Sequence, residues 1–366
     1  MKLLAILIGL SLTISLCIAQ TQAELHWKFD TIKAPSLEGN LLEDAPSRLI
    51  EVYLPPSYYK SDKSYPVVYY LSGYNSRGRL PDYKVKAHKQ LIDEKIQNNL
   101  LNEIIFVWVS GSNRLRGSFY VNSPVTGNWA DFITKDVVNY VDNAYRTIPN
   151  KESRSTIGSS MGGYGALNIS MLYPDVFCAG YGVSPGLYSF KGFDNSQIMN
   201  TKGNVESTLE VIERFNSLPT AVAHKEFLNF LDTLTNRTLF FTMAYGAAHA
   251  PNPEQAPYFY FPLKIVDNDT IVDKEIWQLW QNGFGGIEKE IDMYKSNLEK
   301  LKVYGIACGY NEGHKWLYDG CLYYADKLAE DHISHVLYLH QGTHTSHTID
   351  VIINHVLPLL SNVMTY

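Results

Sequence analysis

The stretch at residues 158–163 has residue types suited to nucleophilic catalysis. It reads Gly-Ser-Ser-Met-Gly-Gly and matches the pattern G-x-S-x-G centred on Ser160. In that pattern the serine occupies a sharp strand-to-helix turn, and the flanking glycines let the backbone fold back without a Cβ clash. Residues 154–157 before it have β character, and residues 164–173 after it are rich in helix formers. The pattern predicts Ser160 as a nucleophile, whereas Ser159 lacks glycine at either flanking offset.

A serine hydroxyl is a weak nucleophile near neutral pH, so it needs a base, and the base needs a carboxylate to orient it. The chain order serine, acid, histidine is the one found on α/β-hydrolase sheets. Downstream of the serine, one loop at a predicted strand end holds Glu312, and the next holds His344 and His347. Parallel strands bring such loops to one edge of the sheet.

Within these loops the sequence favours one base and one acid and leaves an alternative for each. We expect His344 to be the base because Gly342, two residues earlier, permits a tight turn; His347 is the alternative. We expect Glu312 to be the acid because it lies just past a strand end. Asp319 is its alternative, although it falls inside the next predicted helix.

The elements that would position these residues alternate between strands and helices. Short apolar runs predict strands at 48–54, 66–71, 104–110, 154–157, 177–183, 303–308 and 335–340. Helical periodicity predicts helices at 84–101, 131–145, 164–173, 317–330 and 349–360. This order predicts an α/β protein with a mostly parallel central sheet and helices on both faces. Residues 24–48 form an irregular lead-in that includes an edge strand.

Residues 187–300 interrupt the alternation and are interpreted as an insertion before the acid-bearing strand. Within it the sequence predicts helices at 205–215, 223–234 and 275–300 and a strand at 239–244. A structureless loop of this length is improbable in a compact domain. We therefore expect the insertion to fold against the sheet as a lid or as one wall of a substrate cleft.

Composition excludes several function classes. The chain has 366 residues, of which 45% are hydrophobic and 19% are charged, and its formal net charge is −6. A mildly acidic protein has no electrostatic reason to bind nucleic acid. No His/Cys spacing typical of a metal site occurs, and no cofactor is expected.

The first 23 residues are interpreted as a signal peptide. Lys2 precedes an apolar run at 3–16, and Ala19 and Ala23 offer cleavage positions. The run is short for a transmembrane span. We expect a secreted or periplasmic protein, with lipid anchoring at Cys17 as a less favoured option. Of the remaining cysteines, Cys308 and Cys321 either form a disulfide in an oxidising compartment or, like Cys178, are buried thiols.

The sequence resembles the putative esterase (esterase D-like) family of α/β-hydrolases, which includes S-formylglutathione hydrolases, mycolyltransferases and secreted feruloyl and acetyl-xylan esterases. The resemblance covers about residues 45–190 and 300–360. It rests on Tyr70-Leu71-Ser72-Gly73, Gly117-Ser118-Phe119-Tyr120, Trp129-Ala130-Asp131-Phe132-Ile133, the 158–163 stretch, Ala307-Cys308-Gly309 with Glu312, and Gly342-Thr343-His344.

The resemblance implies Ser160 as nucleophile, His344 as base and Glu312 as acid. It also implies an oxyanion hole formed by the backbone N–H groups of Met161 and Tyr74. Ser72, Gly73 and Trp129 are expected to contact the substrate. The chain departs from the family in three places. Many members have His-Gly where this chain has Ser72-Gly73, and Asp is common where this chain has Glu312. The aromatic residues that often follow the catalytic histidine are absent after His344.

The sequence thus predicts a secreted serine carboxylic-ester hydrolase. Export and the aromatic insertion favour acetyl or feruloyl esters of carbohydrates, so the expected substrate is a small-molecule or polysaccharide-linked ester. Two alternatives stay open: an acyltransferase of the same family, and a non-catalytic homologue that binds a glycan or a partner.

Overall fold

A twisted eight-stranded sheet forms the centre of the molecule. The computed structural model describes residues 26–76, 80–267 and 269–366, so the expected signal peptide and Cys17 lie outside the described residues. The strands are β1 (Trp27–Lys33), β2 (Ser47–Tyr53), β3 (Val67–Leu71), β4 (Ile105–Val109), β5 (Asn122–Ser123), β6 (Gly127–Asn128), β7 (Arg154–Ser159), β8 (Ala179–Val183), β9 (Leu263–Val266), β10 (Asp269–Val272), β11 (Val303–Gly309) and β12 (Val336–His340).

The order of the large sheet is β1-β2-β4-β3-β7-β8-β11-β12. β1 pairs antiparallel with β2, and β2 pairs antiparallel with β4. Every later pair is parallel. The mostly parallel sheet predicted from the sequence is therefore confirmed, and the carboxyl ends of β7, β11 and β12 meet at one edge.

Helices cover both faces of the sheet. They are α1 (Asp82–Gln97), α2 (Trp129–Asp131), α3 (Val138–Ala144), α4 (Met161–Leu172), α5 (Gln197–Asn200), α6 (Asn204–Asn216), α7 (Thr220–Thr233), α8 (Arg237–His249), α9 (Lys274–Phe284), α10 (Ile287–Leu298), α11 (Lys315–Glu330), α12 (Thr348–Val351) and α13 (Leu357–Val363). π-helical turns at Phe132–Val137 and Ile352–Val356 join α2 to α3 and α12 to α13.

The continuous apolar run of β3 has a direct structural cause. Val67, Tyr69 and Leu71 face one hydrophobic cluster with α4 and α11, whereas Val68 and Tyr70 face a second cluster with α1 and the C-terminal helix. A strand buried on both faces needs apolar side chains at every position. The sequence pattern of this strand is therefore that of a central strand of an α/β sheet.

The region between β8 and β11 is folded and shares the larger hydrophobic cluster with α4 and α11. Its helices α6 and α7 correspond to the helices predicted at 205–215 and 223–234. The helical segment predicted at 275–300 is divided by Gly285 and Gly286 into α9 and α10. The predicted strand at 239–244 is wrong, because these residues lie in α8. α8 is buried on all sides from Leu239 to Ala248, so it lacks the amphipathic period that distinguishes a helix from a buried strand.

Cys178, Cys308 and Cys321 are buried free thiols, so the Cys308–Cys321 disulfide is not formed. Within the described ranges, no helix is both long and apolar enough to cross a membrane.

Candidate active site

Ser160 lies at the edge of the sheet, in the turn between β7 and α4. Its backbone angles are φ 56° and ψ −120°, a conformation that residues other than glycine rarely adopt. Neighbouring glycines make the turn possible: a Cβ on Gly158 would lie 2.1 Å from the Gly162 carbonyl oxygen. A Cβ on Gly162 would lie 1.9 Å from the Leu71 carbonyl oxygen. Strand, turn and helix are thus packed backbone to backbone, and the strained residue between them is the serine.

The two adjacent serines have different environments. The Ser159 hydroxyl forms a 2.8 Å hydrogen bond with the hydroxyl of Tyr70, on the neighbouring strand β3. Ser160 instead places its Oγ 2.9 Å from Nε2 of His344. Only the second serine therefore has a base within hydrogen-bonding distance.

The loops after β11 and β12 are joined by backbone hydrogen bonds. The N–H of Tyr310 donates to the His340 carbonyl at 2.7 Å, and the N–H of Asn311 donates to the Gly342 carbonyl at 3.1 Å. Gly342 has no left-handed φ, but a Cβ there would lie 2.6 Å from the His340 ring. Close packing within this loop therefore favours glycine at 342. The two loops also approach each other closely, because a Cβ on Gly309 would lie 2.2 Å from the Gly342 carbonyl oxygen.

These loops complete a chain of hydrogen bonds from a serine to a carboxylate. His344 Nδ1 lies 3.0 Å from Oε2 of Glu312, and its Nε2 faces the Ser160 hydroxyl. The Glu312 side chain is fully buried, whereas His344 retains 22% of its exposure. A neutral imidazole that donates from Nδ1 to the carboxylate presents an acceptor at Nε2, which is the tautomer needed to take a proton from the serine.

The surroundings of Glu312 keep it ionised. Burial acts to raise the pKa of Glu312, but the hydrogen bond from His344 and the electrostatic interaction with the His344 and His314 rings lower it. The backbone N–H of His314 also donates to Oε1 at 3.2 Å. Together these contacts hold the pKa of Glu312 below its ordinary value.

His314 is a neighbour that the sequence interpretation did not single out. Its ring packs edge-on against His344, with centroids 5.3 Å apart. Burial and the adjacent His344 lower the pKa of His314, which favours a neutral ring beside the base.

The alternative site residues lie elsewhere. His347 contacts Ser346 at 3.3 Å and packs near His340, with no contact to Ser160. Asp319 lies on α11 and pairs with Lys315 at 2.6 Å. The geometry therefore favours His344 over His347 and Glu312 over Asp319.

The residues expected to form the oxyanion hole flank the serine. Met161 is the first residue of α4, and Tyr74 follows the loop after β3. That loop approaches the serine closely, because a Cβ on Gly73 would lie 3.6 Å from the Ser160 Cβ. Met161 and Tyr74 also both line the cavity in front of Ser160.

This cavity has a volume of about 410 Å³ and is bounded by the main sheet edge and by the insertion. Its lining residues are Tyr74, Asn75, Arg116, Ser160, Met161, Gly186, Gln197, Arg237, Thr238, Phe241, Phe284, His314, Trp316, Leu317 and His344. Because α5, α8 and α9 contribute side chains, the insertion supplies one wall of the cleft.

None of the three residues expected to contact the substrate, Ser72, Gly73 and Trp129, lines the cavity. Trp129 is fully buried, and its Nε1 donates to the Thr126 carbonyl at 2.8 Å. Ser72 is buried, and its carbonyl accepts a 2.9 Å hydrogen bond from the Tyr120 hydroxyl. Their expected roles are corrected to support of the loops around the site. Gly73 remains next to Ser160 through its backbone.

Across the described ranges, no group of three or more His, Cys, Asp or Glu side chains is arranged to hold a metal ion.

The fold and the site define a class of protein. A mostly parallel sheet with a serine at a strand–helix turn, a carboxylate after β11 and a histidine after β12 is the arrangement of the α/β-hydrolases. One family model, described as "Putative esterase", matches residues 46–217. This stretch includes Ser160, whereas Glu312 and His344 lie beyond it. The resemblance inferred from the sequence, to the esterase family of α/β-hydrolases, is confirmed, and it supports the expected class of enzyme, a carboxylic-ester hydrolase.

Similar proteins agree with this fold. The uncharacterized protein YbbA of Bacillus subtilis (strain 168) is 24% identical over 153 residues, and the match spans 38% of this chain and 58% of the length of that curated relative. A solved ferulic acid esterase has a TM-score of 0.58 and 17% identity, covering 92% of this chain and 98% of its own. An S-formylglutathione hydrolase from Agrobacterium tumefaciens has a TM-score of 0.52 and 13% identity, covering 93% and 95%. At these identities the two structures establish the fold alone.

Proposed function

We propose that the protein is a serine esterase in which Ser160 is the nucleophile, His344 the base and Glu312 the acid that orients it. The observation that carries the proposal is the unbroken hydrogen-bonded chain, with 2.9 Å between Ser160 Oγ and His344 Nε2 and 3.0 Å between His344 Nδ1 and Glu312. The family match over residues 46–217 supports the esterase class and spans Ser160 but neither Glu312 nor His344.

The proposed reaction has two halves. His344 Nε2 takes the hydroxyl proton as Ser160 Oγ forms a bond to the ester carbonyl carbon, and the ionised Glu312 stabilises the imidazolium. The tetrahedral intermediate collapses, its bond to the alcohol oxygen breaks, and His344 protonates the departing alcohol. Water then attacks the acyl-serine with His344 again as base, releasing the carboxylic acid and restoring Ser160.

Backbone amides are the proposed stabilisers of the oxyanion. The N–H groups of Met161 and Tyr74 would donate to the carbonyl oxygen as negative charge develops on it. Met161 opens α4, so the positive end of the helix dipole adds to the effect. Loss of one oxyanion-hole donor typically lowers kcat by about 10²–10³-fold.

Ser160→Ala tests the nucleophile. We expect this variant to lose hydrolysis of 4-nitrophenyl acetate and covalent labelling by a fluorophosphonate probe. Ser159→Ala is the matched control, because its hydroxyl bonds to Tyr70 rather than to a base. Full labelling of the Ser160→Ala variant would refute the assignment.

For the substrate we propose acetyl or feruloyl esters of carbohydrates, acted on outside the cytoplasm. The apolar run at 3–16 supports export. A cavity of about 410 Å³ with Phe241, Phe284 and Trp316 in its wall is large enough for an aromatic acyl group. The test is a panel of acetylated and feruloylated oligosaccharides. Turnover of simple aryl esters without turnover of any member of the panel would contradict this substrate class and leave the esterase proposal intact.

A further inference from the structure

The cavity in front of Ser160 is cationic, although the chain as a whole is acidic. Among the residues that the structure describes, its lining includes Arg116 and Arg237 but neither Asp nor Glu, and the net charge of the protein is −6. The Glu312 carboxylate lies behind His344 and is engaged by His344 and by the His314 N–H. A ligand in this cavity therefore meets two guanidinium groups and no lining carboxylate.

Arg237 is placed where a cation is unfavourable for the fold. It is the first residue of the 13-residue helix α8 and is exposed. A positive charge in the first turn opposes the helix dipole. Among the residues that the structure describes, no ion pair offsets this charge. A residue that violates a local stability rule at a cleft is expected to have a ligand there.

The backbone of α8 does not supply the binding groups. The N–H groups of Thr238 and Leu239 each donate to the Asn236 side chain at 3.1 Å. An anion at this end of the cavity would therefore be held by the guanidinium of Arg237 rather than by the helix N-terminus.

Arg116 is held in position against the segment that carries Arg237, between Leu234 and the first turns of α8. Its guanidinium stacks on Phe240 at 3.6 Å from the ring centroid and donates to the Leu234 carbonyl at 3.4 Å. It also lines an adjoining cavity of about 500 Å³. The carboxylates there are engaged: Asp232 contacts Arg114 through both oxygens at 3.0 Å, and Asp44 faces Arg48 at 3.7 Å.

We propose that the ester substrate carries a carboxylate or a similar anionic group that binds to the guanidinium groups of Arg237 and Arg116 while the ester carbonyl lies at Ser160. This inference rests on the proposed esterase function and deepens it. Guanidinium groups bind carboxylates through paired N–H donors and strongly favour anionic over neutral ligands. The anionic group belongs either to the acyl part, as in a dicarboxylic half-ester, or to the alcohol part, as in an acyl ester of a sugar acid.

Matched pairs of chromogenic and phenolic esters separate these two sources. The acyl pair is 4-nitrophenyl hemisuccinate against 4-nitrophenyl butyrate. The alcohol pair is 4-acetoxybenzoate against its methyl ester. The readout is the ratio of kcat/KM for the anionic ester to kcat/KM for the neutral ester. We expect a ratio above one in one of the pairs, and a fall of that ratio as ionic strength rises.

Arg237→Gln tests the arginine directly. We expect it to lower the anionic-to-neutral ratio by about three- to tenfold, since a partly exposed charge-assisted hydrogen bond is lost. Lys289→Gln is the control, because it removes the same charge from an exposed position of α10 that does not line the cavity. The urea midpoint of Arg237→Gln should be no lower than that of the parent, because the substitution removes a positive charge from the first turn of α8. A fall in the anionic-to-neutral ratio of kcat/KM would then not be caused by unfolding.

The outcomes separate this inference from the proposed function. Two outcomes would overturn the anionic site and leave the esterase proposal intact. One is an anionic-to-neutral ratio of kcat/KM of one or less in both ester pairs. The other is the same ratio in Arg237→Gln as in Lys289→Gln. If no ester is hydrolysed, the esterase proposal fails, and calorimetry on Ser160→Ala decides the inference. In that case 4-nitrophenyl hemisuccinate must bind to the Ser160→Ala variant more tightly than 4-nitrophenyl butyrate does. This difference in affinity must disappear in the double variant Ser160→Ala/Arg237→Gln. Equal binding would overturn it.

Discussion

Gly162→Ala is the sharpest test of the turn that presents Ser160. Gly162 lies in the first turn of α4, where its Cα faces the end of β3. An added methyl group would meet the Leu71 carbonyl oxygen at 1.9 Å and its carbonyl carbon at 2.5 Å. Both are backbone atoms of a central strand, so no side-chain rotation relieves the contact. The start of α4 must then move away from β3.

The size of the movement sets the expected loss. Real Cβ contacts essentially never fall below 3.0 Å, so the contact must lengthen by about 1 Å. The 2.9 Å hydrogen bond between Ser160 and His344 depends on the same turn. A misplacement of about 1 Å at a reacting group lowers rates by roughly 10²-fold, or about 2.7 kcal/mol of activation free energy. The strain should also lower the free energy of unfolding by about 1–3 kcal/mol.

The assay is hydrolysis of 4-nitrophenyl acetate, with folding followed by circular dichroism and urea titration. Gly313→Ala is the matched control, because a Cβ there meets no atom within 4 Å and its φ is not left-handed. Gly313 lies between Glu312 and His314, so this control tests the site with a methyl group that has space, and we expect it to retain activity within about twofold. A folded Gly162→Ala variant with kcat/KM within about threefold of the parent would refute the packing argument.

Two further predictions concern carboxyl groups. Glu312→Gln should lower kcat by about 10³–10⁴-fold, because an amide no longer stabilises the His344 imidazolium or fixes the tautomer of the neutral ring. Asp319→Asn should change kcat little. A larger loss of kcat in Asp319→Asn than in Glu312→Gln would make Asp319 the acid. Burial raises the pKa of Glu290 in the folded protein to about 8. The protonated carboxyl group therefore contributes to the free energy of unfolding in full at pH values below the pKa of the unfolded chain. This contribution is lost as the pH rises through about 8. Glu290→Gln should therefore raise the free energy of unfolding at about pH 8.5, on the order of 2–3 kcal/mol, and change it little near pH 4. Urea titrations that show the same difference at both pH values would contradict the burial argument.

Local sequence signals were sufficient where local chemistry decides structure. Gly158, Ser160 and Gly162 predict a turn because only small residues allow that backbone path. Apolar runs such as 66–71 predict central strands because both faces are buried. Once the sheet is parallel, the loops with Glu312 and His344 must end at the same edge, so chain order alone brought them together as candidates.

The sequence interpretation failed where burial removes the distinguishing pattern. Residues 239–244 were predicted as a strand because α8 is enclosed on all sides and shows no polar face. Trp129 was expected to contact the substrate, yet its side chain is fully buried in the core. Both errors arise because tertiary packing, not local propensity, determines which surface a side chain meets.

The sequence by itself determined the order of chemistry: a serine at a strained turn, followed by an acid loop and a histidine loop on later parallel strands. Only the tertiary structure decided which acid and which histidine share hydrogen bonds, because these depend on distances of about 3 Å between loops far apart in the chain. It alone also brought Arg116 and Arg237 into the lining of one cavity. No sequence spacing encodes that approach, since it follows from how the insertion packs on the sheet.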